Sequence, residues 1–215
     1  MSEALANPER ASMKSEAEAH ARIRLFRSDR LERLTVISPR AFALTWLGIL
    51  SLVLLASWRV AGIGTSVGLL TGGLVIWTLF EYAMHRFLFH WKTRSPMFQA
   101  MVFVTHGNHH DDPNDPHRNL MPVIVSVPVS AAVWGCCLLA FGRPGSLVFF
   151  GFIIGYVLYD SVHYACHQFP MRRGLLRHLR RHHIRHHYAK QDGNYAITAI
   201  LWDRVFGTRI PAKER

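Results

Sequence analysis

Cysteine is scarce in this chain, with 3 among 215 residues. Cys136 and Cys137 are adjacent inside an apolar run and Cys166 stands alone. No disulfide framework or Cys-rich zinc site can be built from such a set. Acidic residues are also few, 14 against 25 Lys and Arg, for a formal net charge of +11. The polar stretch 1–40 carries eight basic and six acidic residues without an early apolar run, so no secretory signal peptide is expected. H-E-x-x-H is absent, as are the Glu-x-x-His pairs of carboxylate-bridged di-iron bundles. What the chain has in quantity is apolar residues, half of the total, and 14 histidines.

The positive charge first suggests nucleic acid. Its distribution argues otherwise. Arg172, Arg173, Arg177, Arg180, Arg181, Arg185 and Lys190 form a block with no acid among them, directly after the last long apolar run. A cytoplasmic flank beside anionic headgroups explains that block, and no nucleic-acid partner is expected.

Four apolar segments are legible. Ala41 to Trp58 is uncharged and about 27 Å long as a helix, close to a hydrocarbon core of ~30 Å. Ile63 to Phe80 follows, with Gly64, Gly68, Gly72 and Gly73 suited to close helix packing. Leu120 to Phe141 is the third. Ser146 to about Tyr159 is the fourth and must borrow residues beyond Asp160 to span. The short links Arg59–Gly62 and Gly142–Gly145 make each pair a helical hairpin. All remaining segments then share one side, which the Lys/Arg excess makes cytoplasmic, both termini included. The expected fold class is an all-α integral membrane protein: four transmembrane helices in two hairpins, with a cytoplasmic helical cap carrying a histidine-rich di-metal site. The expected division is a polar segment 1–40, a membrane domain 41–209 and a tail 210–215. An interfacial helix is expected through Ile23, Leu25, Phe26, Leu31 and Leu34.

The histidines cluster on that same side. His85 and His90 stand in EYAMHRFLFH, His106, His109 and His110 in THGNHH, His163 and His167 in DSVHYACH, and His183, His186 and His187 in RRHHIRHH. Positions i, i+3 and i+4 lie on one helical face, so each H-x-x-H-H points its imidazoles one way and His163 faces with His167. His85 and His90 are about 140° apart on an ideal helix. They need a local distortion, or they serve different metals. Ten converging imidazoles supply enough ligands for two metal ions. His20, His117, His178 and His182 fall outside the pattern and read as surface or headgroup-facing residues.

Imidazole suits Zn, Cu, Fe and Ni about equally. A hydrolytic zinc site needs only three protein ligands, and ten exceed that. A histidine-held pair of irons at a membrane face fits dioxygen chemistry on a lipid. Glu81, four residues before His85, and Asp160, three before His163, are placed to orient ligating rings, or else are interfacial carboxylates satisfied by arginine. Asp111 and Asp112 read as a turn before Pro113, and Asp203 as the partner of an arginine.

These motifs, their order and the spans between them resemble the fatty acid hydroxylase / sterol desaturase superfamily of membrane di-iron enzymes, and within it the fatty acid 2-hydroxylases. EYAMHRFLFH, HGNHH, RNLMP at Arg118–Pro122, YDSVHYACH, LRRHHIRHH and WDRVFGT at Trp202–Thr208 carry the resemblance. It implies hydroxylation of an unactivated C–H bond of a fatty acid or sphingolipid acyl chain by O2. Its ligand positions fall on the ten clustered histidines, with two iron ions as cofactors and zinc replacing them on overexpression. Relatives often carry a fused cytochrome-type haem domain, for which forty polar residues leave no room. A separate electron donor of cytochrome or ferredoxin type is therefore expected. A sterol or carotenoid substrate is the nearest alternative. A bis-histidine haem carrier wants single histidines within spans, and a metal transporter wants polar groups at the midplane; neither pattern is present.

Overall fold

The computed structural model describes residues 23–211, all of whose regular elements are helical. His20, the start of the polar segment and the end of the tail lie outside them. Within them a short α1 (Asp29–Leu34) leads to α2 (Pro39–Ala56) and α3 (Ile63–Ala83). A π-helical turn, Met84–Phe89, extends α3. Then come α4 (Pro96–Val102), a second π-helical turn (Phe103–Gly107) and the one-turn α5 (Asn108–Asp111). The chain continues through α6 (Val123–Phe141), α7 (Gly145–Gln168), α8 (Gly174–Tyr188) and α9 (Leu201–Val205).

Among the described residues, four helices are long and apolar enough to cross a membrane: α2, α3 with its extension, α6 and α7. Two of their starts follow from local chemistry. Ser38 accepts a hydrogen bond from the Ala41 amide while Pro39 occupies the first turn of α2. The third helix begins at Val123 rather than Leu120, because Pro122 disfavours helix in the residue before it. The fourth does borrow residues beyond Asp160, running to Gln168 and carrying His163 and His167 on its last turns.

The hub is α7. Two-thirds of its apolar window is buried, against 11–17% in the other spans. Trp77 of α3 and Trp46 of α2 meet its Tyr156 at ring distances of 5.5 and 4.7 Å. Trp77 also packs edge-on against Phe152 at 5.0 Å. Such pairs add about 0.5–1.5 kcal/mol each to the area they bury.

Of the four glycines in the second span, only Gly73 is at this interface. A Cβ there would lie 1.9 Å from the Val148 carbonyl oxygen, and one at Gly151 would lie 1.9 Å from that of Leu70. A Cβ at Gly64, Gly68 or Gly72 would meet nothing within 4 Å. Those three share a face at i, i+4 spacing, and that face points away from α7.

The amino-terminal expectation is met only in part, since the helix covers Asp29–Leu34 alone. Glu32 accepts from the Leu25 and Phe26 amides and pairs with the buried Arg118. This tie lays residues 23–35 against the RNLMP loop.

Candidate metal centre

All ten clustered histidines converge, in two sets of five. His85, His90, His106, His110 and His186 form one; His109, His163, His167, His183 and His187 form the other. Within each set the ligand nitrogens lie within 4.8 Å of one another.

The partition divides each H-x-x-H-H motif. His106 and His110, at i and i+4, serve the first set while His109 crosses to the second. His183 and His187 serve the second while His186 crosses to the first. Two motifs thus exchange their middle histidines, and this places the sets side by side. His85 and His90 meet in one set because the helix carrying them is distorted. The π-helical turn has i→i+5 periodicity, which stacks residues five apart, and their rings sit 5.2 Å apart at 28°. In the second π-helical turn, Asn108 Nδ2 donates to the carbonyls of Phe103 and Val104 at 2.8 Å each, satisfying acceptors that the wider turn leaves open.

Hydrogen bonding among the rings cannot explain the convergence. His186 Nε2 lies 3.0, 3.0 and 3.1 Å from the Nε2 atoms of His85, His90 and His110. One ring nitrogen offers either one proton or one lone pair, too little for three such neighbours. In the second set His109 Nε2 lies 2.8 Å from that of His163 and 3.2 Å from that of His187. Ligands on ~2.0–2.1 Å bonds meeting at right angles are about 3 Å apart. The donor set and its spacing fit a transition-metal ion in each group.

Two rings are held in the required tautomer. His186 Nδ1 donates to the Gly193 carbonyl at 2.8 Å, and His109 Nδ1 to Asn119 Oδ1 at 3.2 Å. Each leaves Nε2 as a lone pair aimed at its set. Burial first, then neighbouring imidazoles, holds His106, His109, His183 and His187 well below the usual histidine range. The same causes push His110 down to about 3. Burial lowers His186 to about 4. All are neutral at pH 7, the ligating form.

Glu81 and Asp160 are buried, but among the described residues no histidine hydrogen-bonds to either. Glu81 accepts from the Ile197, Thr198 and Ala199 amides, Thr198 Oγ1 and Trp77 Nε1. Asp160 accepts from the Met121 amide and Tyr156 Oη. The first fastens the loop after α8 onto α3; the second fastens the RNLMP loop onto α7. Among the described residues, neither carboxylate pairs with an arginine.

Sequence reading missed a further pair. His182, expected at the surface, is 2% exposed and lies 2.9 Å from Asp203, itself fully buried. Asp203 therefore pairs with a histidine rather than an arginine, and also accepts from the Tyr195 and Ala196 amides and Thr208 Oγ1. The signal lay in WDRVFGT and in the periodicity of α8, whose buried stripe is Leu179, His182, His183 and His186. His178 is exposed and His117 half-exposed, as expected.

A cavity of about 30 Å³ touches both sets, lined by His106, His109, His163, Tyr159, Asp160 and Leu120 among others. That volume suits one molecule the size of water.

Known proteins are similar to this chain. The profile of the family described as "Fatty acid hydroxylase" matches residues 70–208, the stretch holding all ten histidines. A dihydroceramide fatty acyl 2-hydroxylase of Arabidopsis thaliana is 36% identical over 187 residues, 86% of this chain and 79% of that protein. The fatty acid 2-hydroxylase of Homo sapiens is 36% identical over 150 residues, 68% of this chain but 40% of that protein. The solved structure titled "Full length scs7p (only hydroxylase domain visible)" superposes with a TM-score of 0.78 at 30% identity, covering 86% of this chain and 71% of that one. The chain belongs to the fatty acid hydroxylase family.

Proposed function

We propose that the chain is a membrane di-iron oxygenase that hydroxylates C2 of a lipid acyl chain. The reaction consumes O2, two electrons and two protons, and yields the alcohol and one water. The observation that carries this reading is the gathering of ten imidazole nitrogens into two adjacent sets. The relatives, named as fatty acid and dihydroceramide 2-hydroxylases, point to the acyl chain and to its second carbon.

His85, His90, His106, His110 and His186 would hold one iron, and His109, His163, His167, His183 and His187 the other. Bound there, the irons supply the reduction of dioxygen and the oxidation of C–H, which no side chain performs. The protein's part is positional. Gly193 and Asn119 fix rings from both sets, Glu81 and Asp160 hold the loops that frame them, and the small cavity limits water. We read the spans as two hairpins with the helical cap and both termini on the cytoplasmic side, where a separate electron donor reaches the centre.

The test is lipid analysis of a host expressing the chain under 18O2. The expected product is an acyl chain bearing one labelled oxygen at C2, absent when His183→Ala is expressed at equal level. Label on a sterol or carotenoid ring instead, or no labelled lipid, would reject the proposed substrate.

A further inference from the structure

Four arginines surround a cup at the end of α7. Pro170, Met171, Arg172, Arg177, Arg180 and Arg181 line a cavity of about 360 Å³. The link from α7 to α8 turns sharply, with positive φ at Met171 (35°) and Gly174 (57°). This turn sets Arg172 of the link and three arginines of α8 around one space. Arg180 Nε donates to the Cys166 carbonyl at 2.9 Å, which fixes that side chain at the cup. Among the described residues no carboxylate lies within ion-pair distance of any of the four. Four uncompensated guanidiniums repel one another, and their planar forks match the oxygens of a phosphate.

The surroundings say which phosphate. Phe169, Leu175 and Leu176 flank the cup and are 55%, 69% and 50% exposed. Such exposure at the end of a span belongs in the lipid interface. On the other side of Phe169 an apolar groove of about 440 Å³ runs between α2 and α7, past Phe42, Trp46, Leu50, Val157 and Tyr164. Leu120 lines both this groove and the cavity at the histidines. A charged cup and an apolar groove thus adjoin at the Phe169–Pro170 step.

We propose that cup and groove together bind one anionic phospholipid, its phosphate held by Arg172, Arg177, Arg180 and Arg181 and one acyl chain lying in the groove. The site goes beyond the hydroxylase reading and stands apart from it, because lipid retention is measured without turnover.

The test uses the full chain in mild detergent, titrated with short-chain phosphatidylglycerol and read by native mass spectrometry. Wild type is expected to retain one phosphatidylglycerol. Arg177→Gln/Arg181→Gln should bind it about tenfold more weakly or worse, having lost two phosphate-facing charges, while Arg177→Lys/Arg181→Lys recovers part of the affinity. Ala43→Trp, which fills the groove, should weaken phosphatidylglycerol and leave inorganic phosphate unaffected. Helical circular dichroism on each sample separates lost binding from lost fold. Equal retention by wild type and the glutamine variant would overturn the proposal. So would inorganic phosphate competing as well as the lipid, or capture of an acidic soluble protein with no lipid retained.

Discussion

His110 and His187 stack with ring centroids 4.2 Å apart at 25°, yet each belongs to a different set of five nitrogens. This is the closest ring contact joining the two sets. It follows from the exchange of middle histidines between two H-x-x-H-H motifs, which forces neighbours in sequence onto opposite centres.

The pairing of α3 with α7 predicts a contrast between adjacent glycines. Gly73→Ala must displace the Val148 carbonyl and should cost about 1–3 kcal/mol or more. Gly72→Ala meets nothing within 4 Å and should be near neutral. Thermal unfolding in detergent, followed by circular dichroism, distinguishes them.

Asp203→Ala should be among the most destabilising changes outside the ten histidines. It strands the Tyr195 and Ala196 amides, Thr208 Oγ1 and His182. Hydrogen bonds to a charged group are worth about 1.5–3 kcal/mol each, so a loss of at least 3 kcal/mol is expected. Proteolysis should then cut the segment after Tyr188 before any span. His182→Ala removes one of these partners and should cost less.

Glu81→Gln replaces an acceptor-only group by an amide whose NH2 faces backbone donors at residues 197–199. Hydrogen exchange at Ile197–Ala199 should rise strongly, and activity should fall with it. Metal content should fall less than in any ligand variant, because the hydrogen bonds of Glu81 go to Trp77 and residues 197–199 and not to a ligating ring.

The acid response of the metal-free protein draws on all the histidines held low by burial, among them His110 and His186, which titrate at about 3 and about 4 in the fold against an ordinary value of ~6.5. Their folded values are lowered, so the unfolded chain binds more protons between these limits. Stability therefore rises with pH across that window. It is complete above about 6.5 and is lost as pH falls toward 4 and then 3. Melting temperature measured against pH should show this slope, and His110→Asn/His186→Asn should make it shallower, the other lowered histidines keeping the rest.

Much of this molecule was legible because its signals are local. Span lengths, the ten histidines and the need for a distortion between His85 and His90 all follow from spacing along the chain. The exchange of His109 and His186 between sets was not legible. Helical phase says that three residues share a face, and it cannot say to which of two adjacent centres each reaches. Gly73 was one of four equivalent-looking glycines, and only the position of α7 selects it. His182 was misplaced because a histidine inside an arginine-rich helix looks solvated; its partner Asp203 arrives twenty-one residues later. Glu81 had the right spacing for His85, but three backbone amides of a distant loop occupy it.

The central claim, that ten histidines from four clusters divide between two metal sites, is tested most directly by counting metal per chain in paired variants. Wild type reconstituted with ferrous iron should hold two ions by elemental analysis. His106→Ala/His186→Ala and His167→Ala/His183→Ala should each hold one, because each double change takes two of the five histidines from one set and spares the other. A double change taking one histidine from each set, His109→Ala/His110→Ala, should lower both sites at once. Two ions retained in either single-set variant, or fewer than two in the wild type, would contradict the division.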